Sequence, residues 1–188
     1  MVRSLTLVLG AGFLIASAHG ELQLTPRLSE YKADGATLKH LEFSDGGKSV
    51  TYQPPRGWEY FGSATRLTLS PPNKAQAEAT ISRIPLSQPG SFDDESVKKL
   101  VSDAVAMVPK GSENNSVVSQ EKGPLMIQGK ETFLLTLRYT FYGQKYGRSI
   151  LFLNRGNEQI RFQLTCHEAD FNELHRVFLR SHYTWREL

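Results

Sequence analysis

Alternating hydrophobic and polar residues recur along most of the chain and predict a protein built mainly of β-strands. In a strand, successive side chains point to opposite faces, so an alternating segment has one apolar and one polar side. Prolines and glycines, which favour turns, separate these segments from one another. In the first half of the sequence the pattern predicts short strands over 49–53, 58–61, 65–70 and 75–84.

The second half of the chain contains the strongest strand signals. Three long segments, at 132–142, 145–154 and 158–166, are joined by short turns that contain glycine. Consecutive strands with such short connections pair antiparallel, so we predict a three-stranded meander. Residues 150–153 are apolar on both faces, which indicates that this part of the sheet is covered on both sides.

Apolar residues at three- and four-residue spacing predict two helices. The first begins after a cap at Ser91 or Asp93, has acidic residues in its first turn, and ends at Pro109. The second spans 170–182 and carries an apolar stripe along one side. This order of strands and helices predicts an α+β domain, a largely antiparallel sheet covered by helices. A ligand-holding barrel is the rival architecture, and the helix in mid-chain argues against a simple up-and-down form of it.

The N-terminus has the pattern of a secretory signal peptide. Arg3 precedes an apolar segment at 5–16, which is shorter than the roughly 20 residues of a membrane-spanning helix. Ala16 and Ala18 form a cleavage pattern of small residues, so we predict a signal peptide over 1–18. Cleavage two residues later and an uncleaved anchor are the alternatives. The mature chain is then exported to the periplasm or the extracellular space as a soluble protein, with no transmembrane span left after cleavage.

The rest of the chain divides into a short extension and one domain. Residues 19–37 are polar and show no clear period, so they form an N-terminal extension that is either a tether or a peripheral strand. Residues 38–188 are predicted to be a single α+β domain, because no linker, repeat or low-complexity segment interrupts them.

The composition and the net charge give little indication of a partner that binds by electrostatic attraction. The chain has 188 residues, 39% of them hydrophobic, and a formal net charge of +3. Loss of Arg3 with the signal peptide reduces the 22 basic residues to 21, against 19 acidic ones. This margin is too small to indicate binding to nucleic acid. The single cysteine, Cys166, excludes an internal disulfide.

Cys166 and His167 are the strongest candidates for nucleophilic chemistry, which needs a thiolate and a base within hydrogen-bond reach. Cys166 continues the apolar series of its strand, which predicts a buried, inert thiol, and His167 then points to the other face. No familiar catalytic motif occurs elsewhere in the sequence. The chain is therefore predicted not to be an enzyme and to need no cofactor.

A metal site could be sought among His167, Glu168, His175 and His182. The last three recur every seven residues, which puts consecutive members about 10 Å apart along a helix. A zinc ion binds nitrogen ligands at about 2 Å. The spacing therefore predicts a solvated helix face and no metal site.

A basic and aromatic patch on the meander is the candidate binding surface. In one register Arg138, Arg148 and Arg161 share a face of neighbouring strands, with Tyr142 and Tyr146 close to them. Such a group suits an anionic ligand or a partner protein. A plain solvated sheet face is the alternative, because the register decides which side chains meet.

Several short motifs occur in an order that is familiar from one family. They are an early turn at Pro55-Arg56-Gly57-Trp58, a segment around Gly129-Lys130-Glu131, a strand that ends in QLTC, a final helix that ends in Phe178-Leu179-Arg180-Ser181, and Trp185 beyond it. This order resembles the PsbP-like α/β/α sandwich family over roughly 49–185. Known members act mostly as docking or assembly factors, so the resemblance implies a non-catalytic accessory or binding role. No binding residue of a characterised member of the family matches a position of this sequence.

These observations predict an exported, non-enzymatic accessory domain that docks an unknown protein partner or an envelope-associated one. The alternative is a carrier that holds a small apolar or anionic ligand between sheet and helices. An aromatic run in the long strands favours the carrier, although such a run is more often plain core.

Overall fold

The structure of the protein, a computed structural model, describes residues 21–33 and 35–188. The predicted signal peptide over 1–18 and its cleavage site lie outside the described residues. The strands, in chain order, are β1 (Leu22–Ala33), β2 (Ala36–Asp45), β3 (Lys48–Tyr52), β4 (Glu59–Gly62), β5 (Arg66–Ser70), β6 (Glu78–Pro85), β7 (Glu113–Lys122), β8 (Thr132–Phe141), β9 (Gln144–Arg155), β10 (Glu158–His167) and β11 (Arg186–Glu187). The helices are α1 (Asp94–Ala106) and α2 (Glu168–Ser181), and a 3-10 turn at His182–Thr184 leads from α2 to β11.

The strands form two antiparallel sheets. The large sheet has seven strands in the order β4-β5-β6-β10-β9-β8-β7, and the small sheet has four in the order β1-β2-β3-β11. The consecutive strands β8, β9 and β10 pair as the predicted meander, with Tyr139 opposite Tyr146 and Leu151 opposite Phe162. The large sheet is open, with β4 and β7 at its edges, and so differs from the rival barrel.

Helix α1 covers one face of the large sheet, which we call the α1 face. Asp93 caps the helix, as its sequence predicts, because its side chain accepts a hydrogen bond of 2.8 Å from the backbone nitrogen of Ser96. The apolar side of α1 packs on β8 and β9. The core beneath it contains Val97, Ala104, Val108, Phe133, Leu135, Leu137, Tyr139, Ile150 and Phe152.

Helix α2 and the small sheet cover the opposite side of the large sheet, which we call the α2 face. This larger core includes Leu22, Phe43, Tyr52, Leu67, Ile81, Leu134, Leu151, Phe162, Leu174, Phe178 and Trp185. Strand β9 contributes to both cores, since Ile150 and Phe152 lie beneath α1 while Leu151 and Leu153 face the other way. This arrangement confirms that 150–153 is covered on both sides.

The structure confirms the α+β class and both helices. Helix α2 begins at Glu168, two residues before the predicted start at 170, because Glu168 and Asp170 both place negative charge in the first turn, where the helix dipole favours it. Within the described part of the chain, no helix is long and apolar enough to cross a lipid bilayer.

The N-terminal extension over 19–37 contains a strand and not a tether. Strand β1 pairs along its length with β2, and Leu22 and Leu24 of β1 are completely buried between the two sheets. Alternation was not evident in this segment because β1 carries a register shift between Gln23 and Arg27, which breaks the period of two.

Candidate functional site

The register of the meander decides which residues of the predicted patch lie together. Tyr146, Arg148 and Arg161 point to the α1 face, because their cross-strand neighbours belong to the core beneath α1. Arg138 points to the α2 face, where its Nε lies 3.1 Å from a carboxylate oxygen of Glu168. The structure therefore does not bring Arg138 together with Arg148 and Arg161.

Arg161 lies apart from the other patch residues. Its guanidinium is 5.6 Å from the centre of the Phe152 ring, and its Nε donates a hydrogen bond of 2.9 Å to Oε1 of Gln159. Burial lowers the pKa of this side chain. Four residues of β10, or about 13 Å, separate Arg161 from Thr165, which is the strand neighbour of Arg148. Arg161 thus lies beside the edge of α1, away from the hairpin that β8 and β9 form.

Tyr146 is part of an aromatic cluster at the base of the hairpin. Its ring stacks on that of Tyr139, with 5.5 Å between centroids, and meets the ring of His167 edge-on at 4.9 Å. The Tyr146 hydroxyl oxygen lies 3.3 Å from Nε2 of His167. Tyr139 and His167 are missing from the sequence-based patch, although a two-residue turn at Tyr142 and Gly143 already fixes Tyr139 opposite Tyr146.

Arg148 connects this cluster to α1. Only 7% of its surface is exposed, and its guanidinium donates hydrogen bonds to Oγ1 of Thr165 (3.0 Å), the main-chain oxygen of Met107 (3.1 Å) and the hydroxyl of Tyr139 (3.4 Å). Met107 is the C-cap of α1, whose last turn has no basic residue of its own. The cation of Arg148 therefore meets the negative end of the helix dipole and holds the helix on the sheet.

The charges around the hairpin are only partly neutralised. Between residues 21 and 188, position 34 aside, none of the ion pairs includes Arg148, Arg161 or Lys145. Lys145 is exposed and is the second residue of β9, two positions after the turn residue Gly143. The end of the hairpin therefore presents an unpaired ammonium group to solvent.

Tyr142 occupies the turn itself, in a segment that we call the hairpin tip (residues 141–144). Its side chain is 88% exposed and contacts the ring of Phe141, with 4.3 Å between centroids. Its φ is 47° and that of Gly143 is 73°. Two positive φ values in a two-residue turn correspond to type I′, which strongly favours Asn or Gly at the position that Tyr142 holds.

Cys166 and His167 do not form a catalytic pair. Cys166 is completely buried on the α2 face, as predicted, and burial raises the pKa of its thiol to about 12. His167 lies on the α1 face beside Tyr146. A thiol with this pKa is almost entirely protonated near neutral pH, and His167 lies on the other side of the strand from it.

The four residues considered for a metal site have separate surroundings. Glu168 is engaged by Arg138, while the ring of His175 stacks on Phe171. His182 is buried between aromatic rings of β10 and α2, and this burial lowers its pKa to about 3. Within the described residues, no group of three His, Cys, Asp or Glu side chains is placed to hold a metal ion.

The interior leaves little room for a small molecule beneath α1. The space between α1 and the sheet has a volume of about 10 Å³, enough for roughly one water molecule. It is lined by Leu100, Asp103, Ala104, Met107, Ile150, Phe152, Arg161 and Gln163. The aromatic side chains of the long strands thus form packed core at this place.

Known proteins resemble the chain in fold. No protein-family model matches it, and no curated protein matches it in sequence. Among solved structures, PA94 from Pseudomonas aeruginosa, a protein of unknown function, is similar with a TM-score of 0.52 and 17% identity, over 84% of this chain and 94% of that one. At such identity the likeness concerns the fold alone.

Two further solved structures cover nearly the whole chain. PsbP from the cyanobacterium Synechocystis sp. PCC 6803 has a TM-score of 0.49 and 14% identity, over 96% of this chain and 99% of its own. LpqN from Mycobacterium tuberculosis, described as involved in cell envelope biogenesis, has a TM-score of 0.47 and 12% identity, over 95% and 99%. The PsbP-like family, which the sequence resembles, is thus represented among the similar structures.

Proposed function

We propose that this chain is an exported, non-catalytic accessory domain that docks a protein partner. The observation that carries the proposal is the packing beneath α1, where aromatic residues fill the space that a carried ligand would need. Pockets that hold drug-sized ligands are typically about 300–1,000 Å³ and enclose most of the ligand. A space of about 530 Å³ occurs between β5 and β6, but it is an open groove at the surface, lined by Ser70, Pro71, Asn73, Lys74, Ala75 and Ala77. Binding through the surface is therefore favoured over a ligand held beneath α1.

The surroundings of the reactive side chains also favour a non-catalytic role. The thiol of Cys166 is buried and has a raised pKa, and His167 belongs to the opposite face of the sheet. Nucleophilic catalysis needs the two groups within hydrogen-bond reach of each other and of a substrate. The arrangement of this pair therefore supports binding over covalent chemistry.

Quantitative co-purification tests the proposal. The full-length chain, tagged at its C-terminus and expressed at native level in its source organism, is isolated from the cell envelope in mild detergent. We expect one protein to co-purify at close to equimolar amount. Native mass spectrometry of the isolated chain is expected to give the mass of the polypeptide alone.

Two results would count against the proposal. A small molecule that stays bound to the chain in native mass spectrometry would favour the carrier. Absence of any protein at near-equimolar amount, in a preparation where the tagged chain itself is intact and folded, would contradict docking to a protein.

A further inference from the structure

We infer that the hairpin tip is the docking element of this domain and that Tyr142 is the anchor side chain that the partner protein buries. The inference rests on the proposed function and adds to it the place and the chemistry of the contact. Three properties of the hairpin tip support it: a backbone conformation that disfavours tyrosine, a rigid base, and an unpaired positive charge beside the exposed ring.

The backbone of Tyr142 is the first of these properties. A φ of 47° lies in the left-handed region, where a bulky side chain is strained, and the preferred residue at the first position of a type I′ turn is Asn or Gly. With 88% of its surface exposed, the ring gains little from burial in the free protein. The contact with the Phe141 ring leaves most of the Tyr142 ring in water. A bulky residue that breaks the local rule at so exposed a position points to a role in binding.

The base of the hairpin holds the tip in a fixed position. The stacked rings of Tyr139 and Tyr146 lie across the two strands three and four residues from Tyr142. Arg148 then connects the hairpin to the end of α1 through the main-chain oxygen of Met107. Because the support is rigid, docking of the tip would immobilise few additional side chains, which is the condition for a strong contact from a small surface.

The chemistry of the tip defines the partner surface. The ring of Tyr142 needs an apolar cleft, and its hydroxyl needs a hydrogen-bond acceptor at the inner end of that cleft. Lys145 stands exposed and unpaired beside the turn, so a carboxylate at the rim of the cleft would complement it. The partner is therefore a protein with an apolar cleft edged by an acidic side chain.

A lipid surface suits the hairpin tip less well than a protein. The hairpin tip and the adjacent Lys145 present one aromatic ring, 88% exposed, and one positive charge. Stable attachment to a membrane takes two strong signals, such as two acyl chains or one chain with a polybasic patch. One tyrosine in a fitted protein pocket, by contrast, is often among the few residues that dominate binding.

The first test concerns the strain. Tyr142→Asn should raise Tm by about 2–4 °C, the shift that corresponds to relief of a modest backbone strain in a chain of this size. Phe61→Ala is the matched control, because Phe61 is 76% exposed on β4, at the far edge of the sheet, and has no positive φ. An unchanged or lowered Tm for Tyr142→Asn would mean that the ring supports the turn, and would overturn the inference.

The second test concerns the contact itself. The full-length chain carries a benzophenone amino acid in place of Gln144, which is exposed within the tip, and is irradiated in an envelope extract of the source organism. We expect one protein adduct, and its yield should fall when unlabelled wild-type chain is added before irradiation. The unlabelled Tyr142→Asn chain should need a concentration about 30-fold higher for the same fall in yield, as expected for an anchor residue. The Phe61→Ala chain should compete as well as wild type.

The controls separate failure of the inference from failure of the proposed function. Tyr183, which is 61% exposed on the 3-10 turn after α2, provides a further control position. If a benzophenone in place of Phe61 or Tyr183 gives the protein adduct and one in place of Gln144 does not, docking uses another surface and only the inference fails. If none of the three positions gives an adduct and no protein co-purifies, both fail. Binding of the wild-type chain to phosphatidylglycerol and phosphatidylethanolamine vesicles that is lost in Tyr142→Asn would assign the tip to a membrane and would also overturn the inference.

Discussion

Cys166 lies on the inner side of β10, between the large sheet and α2, with no surface exposed to solvent. Alkylation of a cysteine proceeds through the thiolate, and burial raises the pKa of this thiol to about 12. The reagent can therefore react only after the folded chain has opened. At the scale of single residues, burial of Cys166 prevents the nucleophilic chemistry that its position next to His167 in the sequence suggests.

We predict that iodoacetamide labels Cys166 slowly in the native protein at pH 8 and quickly in urea. Intact-mass spectrometry over time measures both rates. The ratio of the two rates should follow the equilibrium population of the open protein, since opening limits access to the thiol. Labelling of the native protein at the rate of a free thiol would contradict the buried position.

His182 is a second residue whose burial has a measurable consequence. Its imidazole lies between the rings of Phe162 and Phe178, at 4.4 and 4.5 Å between centroids, and neither ring nitrogen has a hydrogen-bond partner in the described structure. Burial, with a smaller effect from nearby His175, lowers its pKa from 6.5 to about 3. The unfolded chain therefore takes up a proton at a pH where the folded protein does not.

We predict that this difference lowers the free energy of unfolding as the pH falls below 6.5. The loss is about 1.4 kcal/mol per pH unit from this residue, and it continues until the pH reaches the folded pKa near 3. Urea unfolding at pH 7.0, 6.0 and 5.0, above the range of most carboxylates, should show the slope in wild type and a smaller slope in His182→Phe. His40→Phe, on β2 beside Tyr31, is the control and should keep the wild-type slope.

At the scale of elements, α1 is held at its two ends by different means. Asp93 caps its N-terminus, and hydrogen bonds from Ser91 and Ser96 lower the pKa of this carboxyl to about 2. Its C-terminus has no basic residue in the last turn, and the charge comes from Arg148 of β9. The Asp93 cap can be recognised in the sequence, because it is a motif of neighbouring residues. The contact of Arg148 with Met107 joins residues 41 positions apart and depends on the register of the sheet.

We predict that Arg148→Met lowers the free energy of unfolding by about 2–3 kcal/mol, because it leaves the partly buried main-chain oxygen of Met107 and the buried hydroxyl of Tyr139 without their donor. Arg148→Lys should recover part of this loss, since it keeps the charge but not the three hydrogen bonds. Arg138→Met is the matched control, since its side chain is half exposed on the opposite face. Equal stabilities of Arg148→Met and Arg138→Met would contradict the role of Arg148 in holding α1.

The elements that could be predicted from sequence are those with a regular pattern of buried apolar residues. Strands β5 and β10 and both helices have one side in the core, so their apolar residues recur at the period of the structure. Strands β8 and β9 are buried on both faces and are recognised by their nearly continuous apolar residues. Strand β7 escapes prediction because it is an edge strand with almost every side chain exposed, and two register shifts interrupt it. Strand β11 has only two residues. It pairs with β3, more than 130 positions earlier in the chain, so no pattern of neighbouring residues predicts this pairing.

The arrangement of the candidate site could likewise be predicted from the sequence only in part. The exposed Tyr142 and its neighbour Gly143 could be recognised as a turn, and Tyr146 and Arg148 as residues of one strand face. That Arg138 lies on the other face follows from the parity of the register once the turn is known. The contact of Arg148 with Met107 could not be foreseen, since nothing in the sequence states where α1 crosses the sheet.

At the scale of the whole molecule, a group of charges joins the two sheets at one end. Arg155 of β9, whose side chain is 10% exposed, donates to Asp45 of β2 at 2.6 Å and to Glu187 of β11 at 2.7 Å, and also pairs with Glu158. Lys130 makes a second contact with Glu187 at 2.7 Å. Two strands of the small sheet thus depend on one guanidinium of the large sheet.

We predict that Arg155→Met lowers the free energy of unfolding by about 3–5 kcal/mol, because three partly buried carboxylates then lose the cation that they share. Lys130 remains beside Glu187 and Arg83 beside Glu158, while Asp45 loses its partner. Arg66→Met is the control. Arg66 forms an exposed pair with Glu78 at 2.9 Å, and its loss should change the free energy by less than about 1 kcal/mol. Urea unfolding measures both variants.

Amide hydrogen exchange identifies which strands open more readily in the Arg155→Met variant. In Arg155→Met, exchange should accelerate first in β2 and β11, whose carboxylates lose their partner, and remain slow in β8, β9 and β10, which both cores still hold. The hairpin tip should then keep its position, because its support from Tyr139, Tyr146 and Arg148 lies on the other face of the sheet. Equal acceleration in all strands would mean that the two sheets open as one unit, and that the charges at their joint do not act as a separate link.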